Sequence, residues 1–153
     1  MAALLAAKLL LHLLLNGQWS FHRDELLYLA LGRRLDWGFA SVPPGIALWA
    51  WVGENLLGGS VGAIRLISTL FGTATLLLTM LMAREMLPVR EGNGRFAALV
   101  IGIAGLTCGA FLRPSMLFQP VVFDVFYWTL LSWLFLKYLN TEKSSWLLWF
   151  GAV

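Results

Sequence analysis

The sequence predicts an all-α polytopic membrane protein with about four transmembrane helices, interfacial helices in its first external loop and an incomplete fifth span. Three observations support this fold class. Hydrophobic residues make up 59% and charged residues only 12% of the chain, whereas soluble domains carry about 25% charged residues. Several apolar runs approach the length of about 20 residues that a helix needs to cross a bilayer. The charged residues lie mainly between these runs or near their ends.

The first apolar run, residues 2–15, is predicted to form a transmembrane helix, although it is shorter than a usual span. A secretory signal peptide would carry its basic residue ahead of the apolar run and a small-residue cleavage site after it. Here Lys8 lies inside the run, and the sequence Asn-Gly-Gln-Trp follows it. We therefore interpret the run as a helix that stays in the protein.

The first external loop, about residues 17–60, is predicted to carry helices that lie along the membrane surface. Residues 26–35 form an apolar segment that follows an acidic pair. Residues 46–57 form a second apolar segment, which is interrupted by polar residues and ends at a Gly-Gly-Ser break. Short apolar segments beside charged residues are typical of interfacial helices.

Three longer apolar runs provide the other predicted spans. A polar turn over residues 88–95 separates the first two runs, and a short break over residues 113–120 separates the second from the third. Arg65 and Arg84, near the two ends of the run over residues 61–87, are expected to reach the lipid headgroups. The runs cover residues 61–87, 96–112 and 121–139.

The last apolar run, residues 146–153, is too short to cross a membrane. We therefore expect residues 1–153 to be the N-terminal part of a larger transmembrane domain. Lys and Arg are divided almost evenly between the two predicted sides, so the charge pattern alone does not set the orientation.

The composition also limits the classes of function. A net charge of +3 would suggest nucleic acid in a soluble protein, but here the basic residues flank apolar runs, which favours anionic lipid or a phosphate-bearing substrate. The single cysteine, Cys108, excludes a disulfide framework or a cysteine metal site. The two histidines are too few and too far apart to suggest a metal site.

Asp24 and Glu25 are the first candidate catalytic residues. They follow the first predicted span and begin a helix at the membrane face. A carboxylate at this position can act as a general base that takes a proton from an acceptor hydroxyl. The alternative is structural, because acidic residues in the first helical turn complement the helix dipole.

Arginines on the same predicted side are candidates for binding phosphate, because guanidinium groups make bidentate bonds to phosphate. For Arg33 and Arg34 the alternative is that the side chains simply extend to the interface. The candidate substrate-binding arginines are Arg23, Arg33, Arg34 and Arg113.

Asp124 is the third candidate catalytic residue. It lies four residues into the last long apolar run, and the nearest Lys or Arg before it is Arg113. The carboxylate either lies solvated near the helix N-terminus or faces an interior cavity, where a charge would indicate function. In the second case Asp24 and Asp124 would flank one site.

The segment RDELLYLALGRRLDWGFASVPPGIALWAWV, residues 23–52, resembles the N-terminal part of bacterial GT-C glycosyltransferases of the dolichyl-phosphate-mannose protein mannosyltransferase type, which include lipid A aminoarabinose transferases. Those enzymes share an acidic motif, a helix along the membrane and a DWG-x-x-x-x-PP segment, which here ends at Pro43 and Pro44. The stretch from Ser115 to Trp128 is similar to a later family helix that begins with an aspartate.

The resemblance implies a multi-pass enzyme of the inner (plasma) membrane that moves a sugar from a polyprenyl-phosphate carrier to a hydroxyl on a protein, lipid or glycan, with inversion. It places Asp24 at the catalytic aspartate, Glu25 at its acidic neighbour and Asp124 at the second acid, and it includes Pro43 and Pro44 in the substrate site. Ser41 departs from the pattern, since many relatives have an acid there.

The resemblance also implies further spans and an external C-terminal domain, which are absent here, so we expect this piece alone to be inactive. A divalent metal ion remains open as a cofactor. Membrane lipids are expected partners and nucleic acid is not.

Two other classes compete with the transferase: a transporter or flippase of a lipid-linked substrate, and a small membrane scaffold subunit. A transporter built from two repeated halves would show corresponding broken helices, and no such repeat is visible. A scaffold leaves the charges of the first loop without a reason.

Overall fold

The computed structural model describes residues 1–87 and 93–153, and every regular element in this part of the chain is helical. The all-α prediction is therefore confirmed for these residues. The elements are α1 (Ala2–Leu15), α2 (Arg23–Gly32), α3 (Pro44–Asn55), α4 (Val61–Met86), α5 (Asn93–Thr107), α6 (Gly109–Leu112), a 3-10 turn (Arg113–Ser115), α7 (Pro120–Thr141) and α8 (Ser145–Ala152).

The predicted count of four membrane spans is not confirmed in the described residues. In the described residues, α4 and α7 are long and apolar enough to cross a membrane, and a third span results only if α5 is counted together with the segment Gly109–Ser115. That segment is bent by 81° from α5, so the third span predicted over residues 96–112 does not form one continuous helix. At a rise of about 1.5 Å per residue, the 14-residue α1 is about 21 Å long, against about 30 Å of bilayer core.

Two other boundaries also differ from the predictions. Residues 88–92 of the predicted polar turn lie outside the described part of the chain, and the remaining residues, from Asn93 to Arg95, form the first turn of α5. The helix predicted over residues 26–35 starts earlier and ends at Gly32. A Cβ on Gly32 would lie 2.7 Å from Ala50 Cβ and 2.9 Å from the Trp51 nitrogen. Glycine therefore allows α2 to approach the backbone of α3.

The helix α4 is the centre of the fold, because α1, α5, α7 and the 3-10 turn all pack against it. Small residues permit these close approaches, as is usual between helices in membranes. A Cβ on Gly105 of α5 would lie 2.6 Å from Leu76 of α4, and a Cβ on Gly72 would lie 2.7 Å from Ser115 Cβ. The helices therefore meet where glycine leaves no side chain between them.

An aromatic cluster joins the first loop to the bundle. Ring centroids of Trp49 and Phe71 are 5.1 Å apart, those of Phe71 and Phe123 are 4.7 Å apart, and those of Phe118 and Phe123 are 5.7 Å apart. Edge-to-face contacts of this kind stabilise by about 0.5–1.5 kcal/mol beyond the apolar area that they bury. The cluster holds α3 against α4 and α7, and so positions the loop that carries the acidic pair.

Candidate active site at the start of the second helix

Asp24 and Glu25 lie in the first turn of α2, where a capping box fixes the helix start. The His22 N–H donates to Glu25 Oε2 at 2.7 Å, and the Asp24 N–H donates to His22 Nδ1 at 3.3 Å. Neighbouring residues on a helix point about 100° apart. Their side chains therefore enter different surroundings: Asp24 is about a third exposed, whereas Glu25 is fully buried.

Glu25 is held by four hydrogen bonds. Arg65 Nε donates to Oε1 at 3.0 Å and Arg65 Nη2 donates to Oε2 at 2.7 Å, in a bidentate pair. The Phe118 N–H donates to Oε1 at 2.8 Å, and the His22 N–H is the fourth donor. Burial alone would raise the pKa of Glu25, but these hydrogen bonds outweigh it and lower the pKa below its usual value. The carboxylate is therefore kept ionised and is occupied by protein partners.

Arg65 does not reach the headgroups, contrary to the prediction. Its side chain is 4% exposed, and its remaining N–H groups donate to backbone carbonyls at the end of α1 and in the loop that follows it. These acceptors are the oxygens of Asn16 at 3.0 Å, Trp19 at 3.2 Å and Ser20 at 2.9 Å. Because Glu25 neutralises the charge and carbonyls accept the other hydrogens, burial of this guanidinium is tolerated.

Asp24 contacts the opposite side of the site through Gln119, the residue before α7. Gln119 Nε2 donates to Asp24 Oδ2 at 3.4 Å, and Arg23 Nε donates to Oδ1 at 3.4 Å. Gln119 occupies the N-cap position of α7 but makes no side-chain capping bond to that helix. Tyr28 lies one turn further along α2, and its pKa is raised by burial and by the negative charge of Asp24. Asp24 is therefore ordered but accessible.

The candidate arginines have different surroundings. Arg33 forms a bidentate ion pair with Glu54, with Nη2 to Oε1 at 2.7 Å, which ties the end of α2 to the end of α3. Arg34 and Arg113 are exposed, and the structure describes no carboxylate partner for either. Pro43 and Pro44 begin α3, with Pro43 as its N-cap. The structure brings Arg23 to Asp24 and leaves Arg34 and Arg113 available.

Asp124 lies on the exposed side of α7, next to the exposed residues Val121, Val125 and Trp128. It does not line the interior cavity that the structure describes between α4, α5 and α7. Asp124 is five residues after Gln119, which corresponds to about 8 Å along the helix axis. It therefore lies near the same end of α7 that approaches Asp24.

A metal site was left open by the sequence. In residues 1–87 and 93–153, no group of three or more His, Cys, Asp or Glu side chains converges in a way that could hold a metal ion. We therefore assign no catalytic step to a metal ion.

Sequence reasoning missed several residues of this site. Gln119 and the Phe118 N–H lie about 95 positions from the acidic pair, and no local pattern connects them. A usable signal existed for Arg65, because an arginine one turn inside an apolar run usually has a buried partner. Glu25 is the carboxylate that provides it.

Comparison with known proteins adds one finding. A family model described as dolichyl-phosphate-mannose-protein mannosyltransferase matches residues 41–153. The match includes Arg65, Arg113, Gln119 and Asp124, and begins after the acidic pair. Searches of curated proteins and of solved structures gave no match.

Proposed function

Because this chain belongs to the dolichyl-phosphate-mannose-protein mannosyltransferase family, we propose that it acts as a membrane glycosyltransferase on a lipid-linked sugar. The donor is a sugar on a polyprenyl-phosphate carrier, and the acceptor is a hydroxyl group on the external face of the inner membrane. The acceptor oxygen attacks the anomeric carbon from the side opposite the phosphate, so the carbon–oxygen bond to the phosphate breaks with inversion.

The observation that supports a catalytic role for Asp24 best is its contrast with Glu25. Asp24 is about a third exposed and bound only by long contacts, whereas Glu25 has four protein donors. A general base must come within hydrogen-bonding distance of the hydroxyl group from which it takes the proton. Asp24 therefore takes the proton from the acceptor hydroxyl, a step that typically contributes about 10²- to 10⁴-fold.

Glu25 acts as a positioning residue in this proposal. Its pairing with Arg65 holds the first turn of α2 against α4, and its bond from Phe118 holds the same turn against the start of α7. Three segments that are far apart in the sequence are thus fixed around Asp24. Fixed geometry of this kind is worth several orders of magnitude in rate when it aligns reacting groups.

The departing phosphate requires positive charge. Arg34 and Arg113 are exposed and have no described carboxylate partner, so they are better placed to bind phosphate than Arg33, which is paired with Glu54. Charge-assisted bonds from guanidinium would stabilise the negative charge that develops on the leaving group. Asp124, near the N-terminal end of α7, is proposed as the second acidic residue of the site.

The test is sugar transfer by the full gene product in membrane vesicles, with a radiolabelled polyprenyl-phosphate sugar as donor. Asp24→Asn should lose transfer by about 10²-fold or more, and Asp124→Asn should also lose transfer, with normal membrane insertion of both. Glu142→Gln, an exposed carboxylate at the other end of α7, should retain activity. Full transfer by Asp24→Asn would refute its role. Movement of the donor lipid across the membrane without sugar transfer would support the transporter instead.

A further inference from the structure

A cavity of about 330 Å³ lies between α4, α5 and α7, away from the acidic pair. Gly72, Thr75, Leu76 and Thr79 of α4 form one wall, and the segment around Ser115 closes one end. No residue of α2 or α3 lines it, so it is separate from the site around Asp24. Its volume is near the low end of the about 300–1,000 Å³ of ligand pockets, which is enough for one short alkyl chain.

Lys8 is the only ionisable side chain among the described residues that line this cavity. It is 2% exposed, and its Nζ donates to Ser115 Oγ at 3.2 Å. Among the described residues no carboxylate forms an ion pair with Lys8, whereas the buried Arg65 is paired with Glu25. A buried ammonium without a counter-charge is costly. The cavity beside Lys8 therefore favours an anionic group.

The rest of the lining favours a hydrocarbon chain. The hydroxyls of Thr75, Thr79 and Thr129 donate to the carbonyls of their own helices, at 2.9, 2.8 and 2.7 Å. They offer few free hydrogen bonds to a polar ligand, and the other walls are mainly aliphatic. A small hydrated anion such as free phosphate would lose its water here without replacement.

The opening of the cavity faces the side of the bundle. Ala104 of α5, Phe111 of α6 and Val125 of α7 line the cavity and are exposed. The helices α5 and α7 both pack on α4 and make few contacts with each other. The same two helices expose further apolar side chains, namely Leu99 and Ile103 of α5 and Trp128 of α7. A ligand therefore enters from the hydrocarbon of the membrane.

We propose that this cavity binds a single-chain anionic lipid, with its carboxylate or phosphate-monoester head on Lys8 and Ser115 and its chain between α5 and α7. The charge of Lys8 selects the head, and the aliphatic walls select the chain. The proposal does not depend on glycosyl transfer, because none of the residues around Asp24 takes part.

The test is NMR of the purified chain in detergent micelles with two probes, dodecanoate labelled with ¹³C at the carboxyl carbon and dodecyl phosphate observed by ³¹P. A saturable bound signal is expected from one or both, and this identifies the head. Lys8→Met should weaken binding by about tenfold or more, since it removes a charge-assisted hydrogen bond. Lys143→Met, in an exposed loop, is the matched control and should leave binding unchanged.

Val125→Phe provides a second variant, because it narrows the opening without changing Lys8. Val125→Phe should abolish the bound signal, which keeps the proposal testable if Lys8→Met does not fold. The proposal is wrong if neither probe gives a saturable signal with the unmodified chain. It is equally wrong if Lys8→Met binds the probes as tightly as the unmodified chain, if Val125→Phe retains the bound signal, or if neutral dodecanol competes as well as the anionic probes.

Discussion

At the residue scale, the site depends on how two adjacent acids are divided between two tasks. Glu25 is buried and bound by four donors, and Asp24 is partly exposed with weak contacts. The sequence offered a catalytic and a dipole-complementing interpretation for each of the two acids, without a basis for placing them in different surroundings. The structure gives each residue its own environment, because adjacent positions on α2 face different neighbours.

Loss of either partner of the Glu25–Arg65 pair should strongly destabilise the fold. Glu25→Gln and Arg65→Gln each leave an uncompensated buried charge, for which the cost is about 3–5 kcal/mol. The double variant should be less destabilised than the sum of the single variants, since neither charge remains. Thermal unfolding in micelles, followed by circular dichroism, measures all three. Arg33→Gln, which breaks the exposed pair with Glu54, should change little and serves as control. Additive effects of the two buried substitutions would contradict the pairing.

The same carboxylate predicts a dependence of stability on pH. The pKa of Glu25 in the folded chain lies below the usual value of 4.5, so the unfolded state binds the proton more readily. Its stabilising contribution is therefore complete above about pH 4.5 and is lost as the pH falls through the lower, folded pKa. The melting temperature should fall more steeply below this pH for the unmodified chain than for Glu25→Gln. Parallel curves for the two proteins would show that another group is responsible.

At the element scale, α4 organises the molecule because its small residues admit other segments. The bent segment after α5 reaches α4 at Gly72, where Ser115 occupies the space of a side chain. The next residues of that segment then provide the Phe118 N–H and Gln119 to the site. The bend after α5, which interrupts the predicted third span, therefore brings the Phe118 N–H and Gln119 to the acidic pair.

Gly72→Ala should destabilise the bundle, because the added methyl group would lie 2.7 Å from Ser115 Cβ and closer still to its hydroxyl. Overpacking of this kind costs about 1–3 kcal/mol. Gly62→Ala in the same helix is the matched control, because nothing lies within 4 Å of its added Cβ, and it should be neutral or slightly stabilising. The melting temperatures of the two variants decide the point. Equal effects would show that Ser115 does not pack on Gly72.

At the scale of the whole molecule, α4 and α7 separate two groups of charged residues. One end holds α2, α3 and the acidic pair. At the other end, Lys137 and Glu85 form an ion pair, and Asn140 donates to the Glu85 carbonyl at 3.3 Å. The N-terminal ends of both α4 and α7 lie beside the acidic pair, so the two helices run in the same direction between the two groups.

This arrangement predicts opposite labelling of the two ends in intact cells. In a Cys108→Ala background, Trp37→Cys introduces a thiol in the first loop, where the tryptophan is 95% exposed, and Lys143→Cys introduces one after α7. A membrane-impermeant maleimide should label Trp37→Cys in intact cells and Lys143→Cys only after permeabilisation. Labelling of both thiols, or the reverse pattern, would contradict the external position of the first loop.

The sequence by itself determined the helical class, the family, the bounds of α4 and α7 to within about two residues, and the presence of helices in the first loop. These features follow from the local lengths of apolar runs and from short motifs, which do not require knowledge of distant contacts. The tertiary structure decided the bend after α5, the burial of Arg65 and the separate environments of Asp24 and Glu25. The reason is physical: a buried polar group must find its partners wherever the fold supplies them. For Glu25 those partners lie 40 and 93 residues away, beyond the reach of any local pattern.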